Sequence, residues 1–90
     1  MDKQTKEILC ITQEEAAEVV RAISKVFRFG MDNEWNNVAN KTHLEEELGD
    51  MLAMIDILQE KGIVSGACLE AAKYAKIEKL KVWSNIFPKG

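Results

Sequence analysis

The chain is poor in the residues that break helices and cross-link small folds. One proline and five glycines are spread over 90 residues. Sandwiches and barrels need more turn residues than that, so the composition favours helices. The only two cysteines, Cys10 and Cys68, cannot build a disulfide scaffold, and neither stands at zinc-ligand spacing from the single histidine, His43. They read as small buried thiols of a reducing compartment. No apolar run reaches the length of a membrane span, and the N-terminus lacks the apolar core of a signal peptide. A cytoplasmic protein without a membrane partner is expected. A basic excess is also missing, since 12 Lys and Arg face 15 Asp and Glu for a formal charge of −3. That excludes a protein that holds a nucleic-acid polymer by phosphate neutralisation alone. A nucleotide held through metal ions stays compatible with it.

What is present is a folding sequence, with 47% apolar and 30% charged residues. Ninety residues make one domain, 1–90, because each half of a divided chain would be too small to bury a core. Three helical segments are expected. The first runs from about Lys3 to Arg28, with Ile8, Ile11, Val19, Ile23, Val26 and Phe27 at helical spacing, and ends at Gly30. Thr12 and Glu15 have capping-box spacing, but the apolar stripe continues through them, so one helix is kept. Residues 30–41 read as an Asn-rich loop. The second helix is expected to start at Thr42, with Glu45 three residues on, and to stop at Gly62. Ser65 caps a third, from about Gly66 to Ser84. Three such helices make a thin core with apolar faces left over. The fold class is therefore an all-α short helical bundle completed by homo-oligomerisation, a homodimer at least.

The chemistry lies in the acids. Glu15 and Glu18, and Glu47 and Asp50, are i, i+3 pairs and share a helix surface. At ~100° per residue, Glu45, Asp56, Gln59 and Glu60 form the polar sector of the second helix. Glu47 falls opposite, among Leu44, Met51, Met54 and Leu58, and Asp50 lies toward Met54 and Ile57. On the first helix Glu7, Glu14, Arg21 and Lys25 are the solvated set, Glu15 sits between Ile8 and Ile11, and Glu18 is on the boundary. Burying an ionised carboxylate is costly unless something compensates it. A divalent cation does so, and oxygen-only ligands favour Mg²⁺ or Mn²⁺. The blander alternative is a row of carboxylates reaching water at the bundle edge. A di-iron centre is excluded because neither acid pair has a histidine at its i+3 position.

The third helix shows the opposite sign. Lys73, Lys76 and Lys79 recur every three residues near Leu80, Ile77 and Trp83, a ladder suited to anionic oxygens. Arg28 and Lys25 at the end of the first helix could join it or complement the helix dipole, and the dipole is the role expected of Lys25. Acids that hold metal beside a lysine ladder point to a polyphosphate. Trp35 either stacks on a base or plugs the bundle end.

Glu-Glu-x-x-Glu at 14, 15 and 18, followed across a loop by Glu-x-x-Asp at 47 and 50, resembles the signature of the MazG-like all-α nucleoside triphosphate pyrophosphohydrolases. Segments 22–30, 46–56 and 76–84 resemble the small single-domain forms common in phages, for which a host cytoplasm would be the location. The resemblance implies Mg²⁺-dependent hydrolysis of (deoxy)nucleoside triphosphates between the α and β phosphates. It implies that Glu15, Glu18, Glu47 and Asp50 hold the metal and carry catalysis; one carboxylate would handle the water, and Glu18, the most exposed of the four, is chosen for it. Glu14 would be outer-shell or structural. Lys73, Lys76, Lys79 and Arg28 would face phosphates, the lysines from beside a neighbouring chain in a dimer or a dimer of dimers. Two other readings remain: a phosphoribosyl-ATP pyrophosphohydrolase of the same superfamily, and a non-enzymatic helical interaction module.

Overall fold

Each helix starts where the chain supplies a donor-satisfying group. In the computed structural model, which describes residues 1–88, α1 spans Lys3–Phe29, and the Asp2 carboxylate accepts from the Thr5 amide at 2.7 Å. α3 spans Gly66–Trp83 and is capped by Ser65 Oγ, which accepts from the Cys68 amide. Thr12 caps nothing. Its Oγ1 donates to the Ile8 carbonyl at 2.7 Å, and α1 runs through it unbroken.

The segment between α1 and α2 is more ordered than a loop. Glu34–Trp35 (β1) pairs antiparallel with Val38–Ala39 (β2), Trp35 opposite Val38. Asn36 and Asn37 join them with φ of +53° and +64°. A two-residue turn with both central residues left-handed matches strand twist, and asparagine tolerates that region better than most side chains. β2 then feeds straight into α2, Asn40–Glu60. The expected start at Thr42 is therefore corrected by two residues. Ala39 occupies the cap position without a side-chain bond, and the amides of Asn40 and Lys41 donate instead to the carbonyls of Asn33 and Met31. The loop backbone does the capping. Asn40, 2% exposed, also donates from Nδ2 to the Gly30 carbonyl and ties the hairpin to the end of α1.

α1 and α2 run antiparallel and make the main packing of the chain. Ile8, Met54 and Leu58 are buried at one end of their seam, with Ile57, Ile63 and Val64 against them. Ala22 is buried farther along. α3 buries no residue. The molecule is a slab of 43 × 41 × 15 Å with a radius of gyration of 16.2 Å. A compact chain of this length has about 12 Å, so the helices spread in a plane rather than close around a core. Cys10 and Cys68, expected inside, are both exposed and unpaired. Cys10 lies about 200° around α1 from Ile8, and Cys68 sits in the first turn of the uncovered α3. Among the described residues, no helix is long and apolar enough to cross a membrane.

Candidate metal centre

The seam is built at spacings of three and four. From α1 it takes Ile8, Glu15, Glu18, Ala22 and Lys25, and from α2 it takes Leu58, Met54, Asp50, Glu47 and His43. Apolar residues fill one end, so the same periodicity carries the acids into the closed face one or two turns later. One oxygen each from Glu15, Glu47 and Asp50 lies within 4.8 Å of the others. Glu15 and Glu47 are half-buried and Asp50 is exposed. Two helices thus point three carboxylates at one spot.

Charge confined this way is self-repelling. Burial first, then the charges of Asp50, Glu47, Glu18 and Glu14, push the Glu15 carboxyl above the ordinary glutamate value of 4.5. A carboxyl that holds its proton more tightly in the folded state stabilises the fold fully below its unfolded value. That contribution is lost as pH rises through the folded one. Without metal, Glu15→Gln is expected to be more stable than the parent at pH 7, with the gap closing as pH falls toward 4.5. Urea midpoints against pH in EDTA measure this, and parallel curves would contradict the arrangement.

The donor set suits a hard cation. It offers only carboxylate oxygens, and neither cysteine nor the imidazole belongs to the group. Mutual repulsion in a half-buried site is the feature a divalent ion would relieve.

The other residues singled out from sequence are dispersed. Glu18 stands outside the three-acid group, with Oε1 3.3 Å from the Arg21 guanidinium, and Glu14 is exposed. Arg28 is exposed and stacks over Phe29 at 5.2 Å. Lys73 pairs with Glu70 at 3.4 Å and lies 5.4 Å from the Tyr74 ring. Lys76 and Lys79 are exposed on α3. Within one chain, no ion pair among the described residues joins these lysines to the acids. Trp35 is half-open to solvent and lines a cavity of about 330 Å³ with Lys25, Phe29, Asn33 and Asn40.

Two residues beside the acids are not among the site residues chosen from sequence. Lys25, assigned to the helix dipole, is half-buried with Nζ 4.6 Å over the Trp35 ring. His43, weighed from sequence only as a metal ligand, lies 6.1 Å from that ring, centroid to centroid. The signal was spacing: Lys25 follows Glu18 by seven, and His43 precedes Glu47 by four and Asp50 by seven, which keeps each on the acids' stripe.

An antiparallel helix pair with three carboxylates converging along its seam defines an all-α protein with a candidate site for a hard divalent cation. Residues 3–80 match the MazG nucleotide pyrophosphohydrolase domain, and the chain belongs to that family. No match was found among curated proteins or solved structures.

Proposed function

We propose that this protein hydrolyses nucleoside or deoxynucleoside triphosphates between the α and β phosphates, releasing a monophosphate and pyrophosphate. The observation that carries the reading is the convergence of Glu15, Glu47 and Asp50 within 4.8 Å across the seam, in a chain of the pyrophosphohydrolase family. Those three acids, with Glu18 beside them, would hold Mg²⁺ or Mn²⁺. When bound, the cation supplies charge neutralisation for the phosphates and polarises the phosphoryl group under attack. Glu18, outside the three-acid group and 3.3 Å from the Arg21 guanidinium, would also orient a water and take its proton once it leaves that ion pair. Lys73, Lys76, Lys79 and Arg28 would meet phosphate oxygens, the lysines from the α3 of a second copy. A homo-oligomer is supported by apolar residues left open in the single chain, such as Phe27 at 86% and Trp83 at 83% exposure.

The test is a panel of triphosphates, phosphoribosyl-ATP included, with Mg²⁺ in ¹⁸O-water. The expected products are pyrophosphate and a monophosphate that carries the label, the mark of attack at the α phosphorus. Orthophosphate as the sole phosphate product would reject this cleavage, whereas label in pyrophosphate would keep the cleavage and move the attack to the β phosphorus. Turnover of phosphoribosyl-ATP alone would move the assignment to that substrate.

A further inference from the structure

Resting on that reading, we infer that Lys25 and His43 of the same chain hold the nucleoside side of the substrate, as positioning residues between the acid cluster and the aromatic hairpin. Four observations carry this.

The first is a change of sign along the seam. Beyond Glu47 and Glu18, toward the hairpin, come Lys25 from α1, one turn past Arg21 and Ala22, and His43 from α2, and all of them share a notch with those two acids. A ligand that meets carboxylates through a cation at one end meets donors at the other.

The second is an unpaired nitrogen. His43 Nδ1 faces Glu46 at 3.9 Å, but Nε2 is sealed from solvent with no hydrogen-bond partner among the described residues. A polar atom withdrawn from water without a partner opposes folding unless something occupies the place beside it. The third is the state of the lysine. Lys25 is half-buried, and no salt bridge among the described residues engages it. Its ammonium lies 4.6 Å over the face of Trp35.

The fourth is size. The notch measures about 40 Å³. It is a small recess open to solvent, which admits one oxygen while the rest of the ligand lies outside it. Lys25 also borders the 330 Å³ cavity walled by Phe29 and Trp35, which is large enough for a flat heteroaromatic group. One phosphoryl or ribose oxygen in the notch, held by Lys25 Nζ and by the His43 ring once it turns its unpaired nitrogen into the notch, places the base against those two rings and leaves the polyphosphate directed at the acids.

Binding of a non-hydrolysable α,β-methylene deoxynucleoside triphosphate with Mn²⁺, measured by calorimetry, tests this apart from turnover. Lys25→Met keeps the aliphatic stem, and His43→Phe keeps a ring. Each is expected to weaken the nucleotide by about ten-fold or more. Lys25→Arg, which keeps the charge, and His43→Gln, which keeps an N–H near the same place, are expected to stay within about three-fold. Affinity for Mn²⁺ alone is expected to be unchanged in all four. Equal nucleotide affinity across the set overturns the inference. So does a parallel loss of Mn²⁺ and nucleotide, because the two residues would then be shaping the acid cluster. If the parent protein binds Mn²⁺ but no nucleotide, the proposed function itself fails.

Discussion

Glu47→Gln is expected to abolish metal-dependent hydrolysis and, in the same protein, to raise the melting temperature measured in EDTA. The two effects have opposite signs because Glu47 has opposite value in the two states. Without metal it is one of three carboxylates crowded within 4.8 Å, and its charge is among those that push the Glu15 carboxyl upward. Glutamine keeps the shape and removes one repelling charge. With metal, the same charge is a ligand. Loss of a preorganised charge at a reacting centre costs about 10²–10³-fold in kcat. The thermal readout is as large. A cation about a hundred-fold above its dissociation constant stabilises the folded state by about 2.7 kcal/mol. For a domain of this size each kcal/mol moves the midpoint by about 4–8 °C. The parent should therefore gain on the order of 10–20 °C with saturating Mg²⁺ or Mn²⁺, and Glu47→Gln little of it. Scanning fluorimetry with and without metal measures both signs. If Glu47→Gln melts lower in EDTA, the side chain is holding the fold together and the carboxylates are not in conflict. If the parent shows no shift at millimolar metal, the cluster holds no cation.

Much of this site was legible because helical period and burial are coupled. Glu15, Glu47 and Asp50 shared a sector with Ile8, Met54 and Leu58, and these residues do line one seam. Glu18 fell on the boundary of the wheel and lies outside the three-acid group, against Arg21. The hairpin was illegible for a physical reason. Strands of two residues, Glu34–Trp35 and Val38–Ala39, are too short to show a period of two, and Asn36-Asn37 is a weaker left-handed turn signal than a pair with glycine. The start of α2 was misplaced because its first amides are satisfied by the carbonyls of Asn33 and Met31, partners that no local motif announces. Lys25 was read as solvated because a wheel gives direction but not reach. Its long stem lets the ammonium fold over Trp35. The spread of α3 away from the hairpin was equally hidden, since a wheel names an apolar face and not the surface that covers it.

Charge placed on the open face of α1 is expected to dissociate the proposed assembly and, with it, to unfold the chain at low concentration. Leu9, Ala16, Val20, Ile23 and Phe27 recur at intervals of seven, four, three and four, which makes a second apolar stripe beside the one that packs on α2. Among the described residues little covers its outer half: Val20 is 64% and Phe27 86% exposed, and Leu52 on α2 is 62% exposed. Fully burying a side chain of this kind is worth about 1.5–3 kcal/mol. The four buried apolar residues of the isolated chain, Ile8, Ala22, Met54 and Leu58, are few against the ordering cost of a domain whose net stability is only about 5–15 kcal/mol. Association through the open stripes is therefore expected to supply most of the stability. Sedimentation should give a multiple of the chain mass, with a melting temperature that rises with protein concentration, as for any fold whose stability includes a bimolecular step. The double variant Val20→Asp, Phe27→Asp is expected to sediment as a monomer and to lose most of its helical circular dichroism at micromolar concentration. The control Glu14→Gln, at an exposed position of the same helix, should stay assembled and helical. A double variant that remains helical and monomeric would show that α1 and α2 suffice for the fold, and the lysines of α3 would then have no second copy from which to reach the acids.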